Sequence, residues 1–229
     1  MSRAPATRRR ACGRDVSPEE LAARHPRLFH VTLPEASESI RRRGLLSTSR
    51  LLDLFEIEGA ERELLERRRR PGPAALCHPI HGAVVLNDQS PLSEKALAKC
   101  LDDGLSPVDW LLHLNRRVFF WSDEKGLARL RRARANRTRA IDVLVIDTLA
   151  LACAYVSQIE LSPINSGATI RRPARRGPDT FTPLLALSFE NWKRKRGGRD
   201  RIVEVTVLDG VPDIARYVTE VRKMPQGAA

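Results

Sequence analysis

Polar and apolar positions along this chain follow two rhythms, one helical and one alternating. Ser17 caps SPEELAARH, with Pro18 in its first turn and Glu20 three residues after the cap, which predicts a short helix ended by Pro26. LFHVT follows as a strand of aromatic and β-branched residues. Ala36, Ile40 and Leu45 then give a helical stripe with Gly44 as its stop. LLDLFEIEGAERELLERRRR reads as a second amphipathic helical region, closed by PGP. ALCHPIHGAVVLNDQ contains a strand, SEKALAKCLDDG a helix ending at Gly104, and SPVDWLLHLN a helix capped by Ser106.

The second half changes rhythm. RRVFFW is the clearest strand in the chain. SDEKGLARLRRARANR resumes helix, with acidic residues in its first turn and arginines later, in agreement with the helix dipole. IDVLVIDT reads as a buried strand, and YVSQIELSPINSG as a strand ending in a turn. RRPARRGPD is a basic loop, NWKRKRGGRD a charged turn, and RIVEVTVLDGVPDIARYVTEVRKM two closing strands. Helices crowd the first half and strands the second, which predicts one α+β domain over residues 17–224. Residues 1–16 read as a disordered basic arm and 225–229 as a flexible tail.

Composition narrows the picture further. The chain has 229 residues, enough for a substantial core, and no apolar run of membrane-spanning length. The N-terminus lacks the apolar stretch of a signal peptide, so a cytoplasmic location and no membrane partner are expected. Four scattered cysteines suit reduced thiols. CHPIH places Cys77, His78 and His81 close together, but no second cluster completes a tetrahedral site, and no metal is expected. Gly-x-Gly-x-x-Gly and Walker-type phosphate loops are absent, which argues against ordinary dinucleotide and P-loop folds. Forty Lys plus Arg against 28 Asp plus Glu give a net charge of +12. Such a surplus attracts polyanions, nucleic acid first among them, although arginine-rich composition also follows from GC-rich coding.

Two polar residues interrupt apolar strands. In LFHVT, period-two alternation puts Leu28, His30 and Thr32 on one face and Phe29 and Val31 on the other. In RIVEVTV, Val203, Val205 and Val207 form the apolar face, so Glu204 points away from it, to solvent or into a cleft.

LFHVT…SIRRRGLLS resembles the opening of the ADP-ribosyltransferase fold, in which a strand ending in His-x-Thr precedes a helix and Gly-Leu. RRVFFW resembles the aromatic central strand of that fold, and RIVEVTVLDGVPDIARYVTEV its end, where a strand glutamate precedes a turn and the last strand. The nearest pattern is the DarT type of nucleic-acid ADP-ribosyltransferase, over most of Leu28 to Val221. The resemblance implies a split antiparallel β-sandwich with flanking helices and NAD as co-substrate. Glu204 would then be the catalytic carboxylate, His30 would bond a ribose hydroxyl, and Thr32 would fix the nicotinamide half. DarT-type enzymes place an arginine just after the aromatic strand, where this chain reads SDEK. Arg117, on the face of Phe119 and Trp121, is the candidate substitute, a surface arginine being the other reading. Trp121 stacks on nicotinamide or sits in the core. Asn165 and Ser166 contact the cofactor or serve as ordinary turn residues. The Ser-Thr-Ser run from Ser47 to Ser49 is similar to a toxin-transferase motif but stands in the wrong place for it.

Charge directs the substrate side. Arg171, Arg172, Arg175 and Arg176, with Phe181, Lys193 and Arg194, lie in two basic stretches before Glu204, with Trp192 alongside. That mixture of cations and stacking faces suits single-stranded DNA or RNA, or it is a solvated basic loop. The expected function is therefore NAD-dependent ADP-ribosylation of nucleic acid, on a base, by a monomer with a possible antitoxin or reversing hydrolase. An RNA 2′-phosphotransferase-like enzyme and a non-catalytic nucleic-acid-binding module are the alternatives.

Overall fold

The computed structural model describes residues 16–34, 36–102, 104–133, 139–170, 173–186, 188–195 and 201–226. Helix α1 (Pro18–Arg24) carries the full capping box read from its sequence: the Ser17 hydroxyl accepts from Glu20 N–H, and the Glu20 carboxylate accepts from Ser17 N–H. Strand β1 (Arg27–Thr32), helix α2 (Ala36–Arg43) and the two-residue β2 (Leu45–Leu46) follow. Gly44 ends α2 at φ +97°, and a Cβ there would stand 2.7 Å from the Pro212 backbone, so both conformation and contact require glycine.

The stretch read as one amphipathic helix is two, α3 (Thr48–Leu54) and α4 (Gly59–Arg67). They are parted at Glu56, whose φ is +54°, and Gly59. The next stretch is a hairpin rather than a lone strand: β3 (Ala74–His78) pairs with β4 (Gly82–Leu86) around a turn at Pro79–His81. Leu52, Phe55, Leu76 and Leu86 form a separate small core among these four elements. Buried Arg70 ties this satellite to the rest, donating to the carbonyls of Leu65 and Asn87 and to Asn115 Oδ1 at 3.1 Å. Burial lowers its guanidinium to about 10.

Helices α5 (Glu94–Ala98) and α6 (Pro107–Asn115) lead into β5 (Arg117–Trp121), then α7 (Glu124–Arg132), β6 (Ile141–Asp147), α8 (Thr148–Ala154) and β7 (Ile159–Ser162). The chain closes with β8 (Thr182–Pro183), α9 (Phe189–Lys195), β9 (Glu204–Leu208), β10 (Gly210–Val211) and β11 (Val218–Met224). Helix α9 replaces the expected charged turn over its first residues: Phe189 and Trp192, three apart, bury the same side.

Seven strands form one antiparallel sheet in the order β11-β6-β1-β5-β9-β7-β8. The fold is therefore α+β with a large antiparallel sheet. One face carries Leu28, Phe120, Val118, Leu144, Ile146, Val205, Val207 and Leu161 and packs against α1, α8 and α9. The opposite face is covered in two pieces. Leu127 of α7 packs on Phe29, Val143 and Val145, while Trp110, Leu111 and Leu114 of α6 cluster with Phe181 and the half-buried Phe119. β1 and β5 pair at one register position, Phe29 with Trp121. No helix among the described residues is long and apolar enough to cross a membrane.

Candidate functional site

Register places the strand side chains in rows. Trp121, Glu204 and Ser162 stand directly opposite one another on β5, β9 and β7, and so share a face. The next row on that face holds Phe119, Thr206 and Glu160, and Arg117 stands opposite Leu208. Alternation explains the arrangement: Val205 and Val207 take the apolar side, which leaves Glu204 and Thr206 on the other.

After β7 the chain doubles back. The Ser162 hydroxyl donates to Ile164 O at 3.0 Å and accepts from Ile164 N–H at 3.4 Å, turning the backbone over the strand ends. This turn sets Ser166 above Glu204, whose Oε2 accepts from Ser166 N–H at 3.1 Å and from Ser166 O–H at 2.7 Å. Oε1 has no hydrogen-bond partner among the described residues. Burial, leaving the residue 5% exposed, pushes the Glu204 carboxyl up to about 7, against the opposing pull of the Ser166 bonds and of the Arg176 charge. A carboxyl so placed exchanges a proton near neutral pH, which suits general base chemistry. Trp121 stands half-buried beside it, its ring lying so close over Gly126 of α7 that a Cβ there would meet Cε3 at 2.8 Å.

Ser166 is itself held from behind. Its carbonyl accepts from Trp110 Nε1 at 3.3 Å and from Arg176 Nη1 at 3.0 Å, and Arg176 Nη2 reaches Ala168 O at 3.1 Å. Arg176 is 2% exposed, so its expected place on a nucleic-acid surface does not fit the structure. Phe181 is likewise buried, stacked on Trp110 with ring centroids 5.6 Å apart, and Trp192 lies in the core against α1 and α8. Neither offers a face to a base. Arg175 is exposed and paired with Asp102 at 3.1 Å, and Lys193 is half-buried. Arg171, Arg172 and the Arg194 side chain lie outside the described residues.

Arg117, the candidate substitute arginine, is fully engaged. It donates to Glu160 through Nε at 2.7 Å and Nη2 at 3.2 Å, and to His113 O at 2.6 Å, and lies 4.3 Å from the Phe181 ring centroid. Burial and the neighbouring Arg117 hold His113 below its ordinary range. Glu160, absent from the sequence reading, was detectable in QIELS as a charged residue two positions from Ser162 on the same alternating face.

His30 parts company with Glu204. It pairs with Leu144 and sets its ring edge-on to Phe120 at 5.8 Å, both on the face opposite Trp121. Its Nδ1 lies 3.0 Å from Phe119 O of the neighbouring strand β5, and burial holds the imidazole below its ordinary range. Thr32, buried, stands opposite Asp142, which accepts from the Ser37 hydroxyl at 2.6 Å. Asn165 is exposed at the rim of the Ser166 turn. His78 and His81 stack at 4.7 Å near Phe55, and no group of three metal-ligating side chains forms among the described residues.

The structure thus brings together Glu204, Ser166, Trp121 and Arg176, and leaves His30, Thr32 and Arg117 elsewhere. A family model described as a family of unknown function, DUF7002, matches residues 26–218. The chain belongs to DUF7002. The span matched by DUF7002 runs from Pro26, just before β1, to Val218, the first residue of β11, and takes in every residue of the Glu204 site. A search of curated proteins finds no match to this DUF7002 chain.

Proposed function

We propose that this DUF7002 chain is an NAD-dependent ADP-ribosyltransferase acting on nucleic acid, with Glu204 as its catalytic carboxylate. The observation that carries the reading is the state of Glu204: inside the sheet between β5 and β7, one oxygen fixed by two Ser166 donors, the other without a partner among the described residues, beside a half-buried tryptophan. In the transfer, the bond from ribose C1′ to the nicotinamide nitrogen breaks, and nicotinamide leaves with the bonding pair. The oxocarbenium-like centre left behind is stabilised by the carboxylate at Oε1. An acceptor atom on nucleic acid then bonds C1′, and its proton passes to Glu204. Trp121 offers an indole face for the departing ring, and the surplus of +12 draws the polyanionic acceptor.

The reading takes the sheet, with its single register pair between β1 and β5, as an ADP-ribosyltransferase-like split sandwich. It differs from the sequence expectation in its residues. His30 and Thr32, on the other face, take no part in a site drawn around Glu204, and Arg117 serves the sheet rather than the chemistry. Incubation with labelled NAD and separate DNA, RNA and protein pools tests it. Label on nucleic acid that disappears in Glu204→Gln is the expected result, and no Glu204-dependent label on any pool would end the reading.

One observation favours a non-catalytic nucleic-acid-binding module. Among the described residues, Arg176 beside the carboxylate is committed to loop carbonyls and Arg117, two rows away on the same face, to Glu160, which leaves neither to grip a pyrophosphate. Salt-dependent DNA binding unchanged by NAD, with no NAD turnover, would replace the first reading with this one.

A further inference from the structure

We propose that Arg176 is a positioning residue for Glu204: by clamping the Ser166 and Ala168 carbonyls it holds Ser166 against one carboxylate oxygen and leaves Oε1 as the reacting atom. The inference deepens the reading of Glu204 as the catalytic carboxylate and rests on it. The clamp is anchored at its far end by backbone bonds, Arg176 N–H to Cys100 O and Asp102 N–H to Arg176 O, each 2.9 Å, just past α5. A second tie holds the same turn. Thr169 N–H donates to Pro91 O at 2.9 Å, and its hydroxyl accepts from Ser93 N–H at 2.6 Å. The turn over Glu204 therefore has little freedom, and its two donors converge on one oxygen. A guanidinium suits this task because its planar fork reaches two carbonyls at once, which a single ammonium cannot do.

Arg176 also faces the carboxylate as a charge. Among the described residues near Glu204 on this face, the other charged and titratable groups are Glu160, one row away, neutralised by Arg117 of the row beyond it, and His113 on α6. Cys100 adjoins Arg176 from the end of α5. Among the described residues, Arg176 is thus the cation that bears on Glu204.

The test follows the Glu204 carboxyl directly, by carbon NMR of protein labelled at glutamate side chains, with the signal assigned by its absence in Glu204→Gln. In Arg176→Gln the Glu204 titration is expected to move upward by about one unit. Arg176→Lys, which keeps the charge but releases one carbonyl, is expected to move it less. In Ser166→Ala the loss of one hydroxyl donor is expected to move it upward as well. A titration in Arg176→Lys that coincides with wild type would overturn the proposal, because there the charge is kept and only the grip on two carbonyls is lost. Should Arg176→Gln not fold, Arg176→Lys decides alone: the charge is kept and only the fork is lost, so a rise supports the clamp and an unmoved titration overturns it. The readout needs no NAD. A shifted titration in a protein that does not turn over NAD would therefore remove the transferase reading and leave the clamp standing.

Discussion

At Glu204 the cost of burial and the use of burial meet. Its ordinary value is near 4.5 and its folded value about 7, so between these the folded chain holds a proton that the unfolded chain has lost. Folding stability is accordingly highest below the lower value, declines as pH rises through the window, and is level above it, a loss of at most about 3 kcal/mol. Urea melts at pH 5 and pH 8 should show this decline in the wild type and a flatter response in Glu204→Gln, the variant being the more stable at pH 8. The same substitution should reduce label transfer from NAD by about 100-fold or more. Arg117 and Glu160 provide a contrast. Both side chains are almost wholly buried and satisfy each other through two bonds. Removing Arg117 alone strands a carboxylate and should cost about 3–5 kcal/mol, whereas Arg117→Met combined with Glu160→Leu should recover most of it in a double-mutant cycle.

Elements differed in how readable they were. β1, β5, β6 and β9 carry alternation or unbroken β-branched and aromatic runs, and each lies where those patterns put it. The hairpin of β3 and β4 was harder to read because its turn is Pro79–His81 and its glycine, Gly82, begins the second strand. Helix α8, TLALACA, is apolar on most sides and has no periodic stripe to announce it. The site was half legible for a related reason. Alternation fixes which residues within a strand share a face, but it cannot say how the phase of β1 relates to that of β9. That relation depends on the register of β5 between them, where Phe29 rather than His30 stands opposite Trp121. The long loop from Ser162 to Thr182 was least legible, since its basic residues read as surface until Arg176 is seen threading beneath Ser166. The contact of Trp121 with Gly126 invites a local test. In Gly126→Ala the new methyl displaces the indole, and tryptophan fluorescence should shift with a loss of about 1–3 kcal/mol in stability from overpacking.

Across the whole molecule, charge and architecture make separate demands. A net charge of +12 says nothing of the fold but predicts how the protein meets polyanions. Binding of a fluorescent oligonucleotide should weaken linearly on a plot of log affinity against log salt, with the slope counting the phosphates neutralised. Since Arg176 and Phe181 are interior residues, substituting Arg175 should lower that slope by about one without harming stability. The sheet meanwhile has a seam. β11, β6 and β1 form one leaf and β5, β9, β7 and β8 another, joined through the Phe29–Trp121 rung and the His30 ring bonded to Phe119 O. His30 then acts as a rivet between two leaves. With the rivet drawn, as in His30→Ala, amide protons along the seam would trade for deuterium well before those deep inside either leaf, and the molecule would come apart first along a line that runs through its middle.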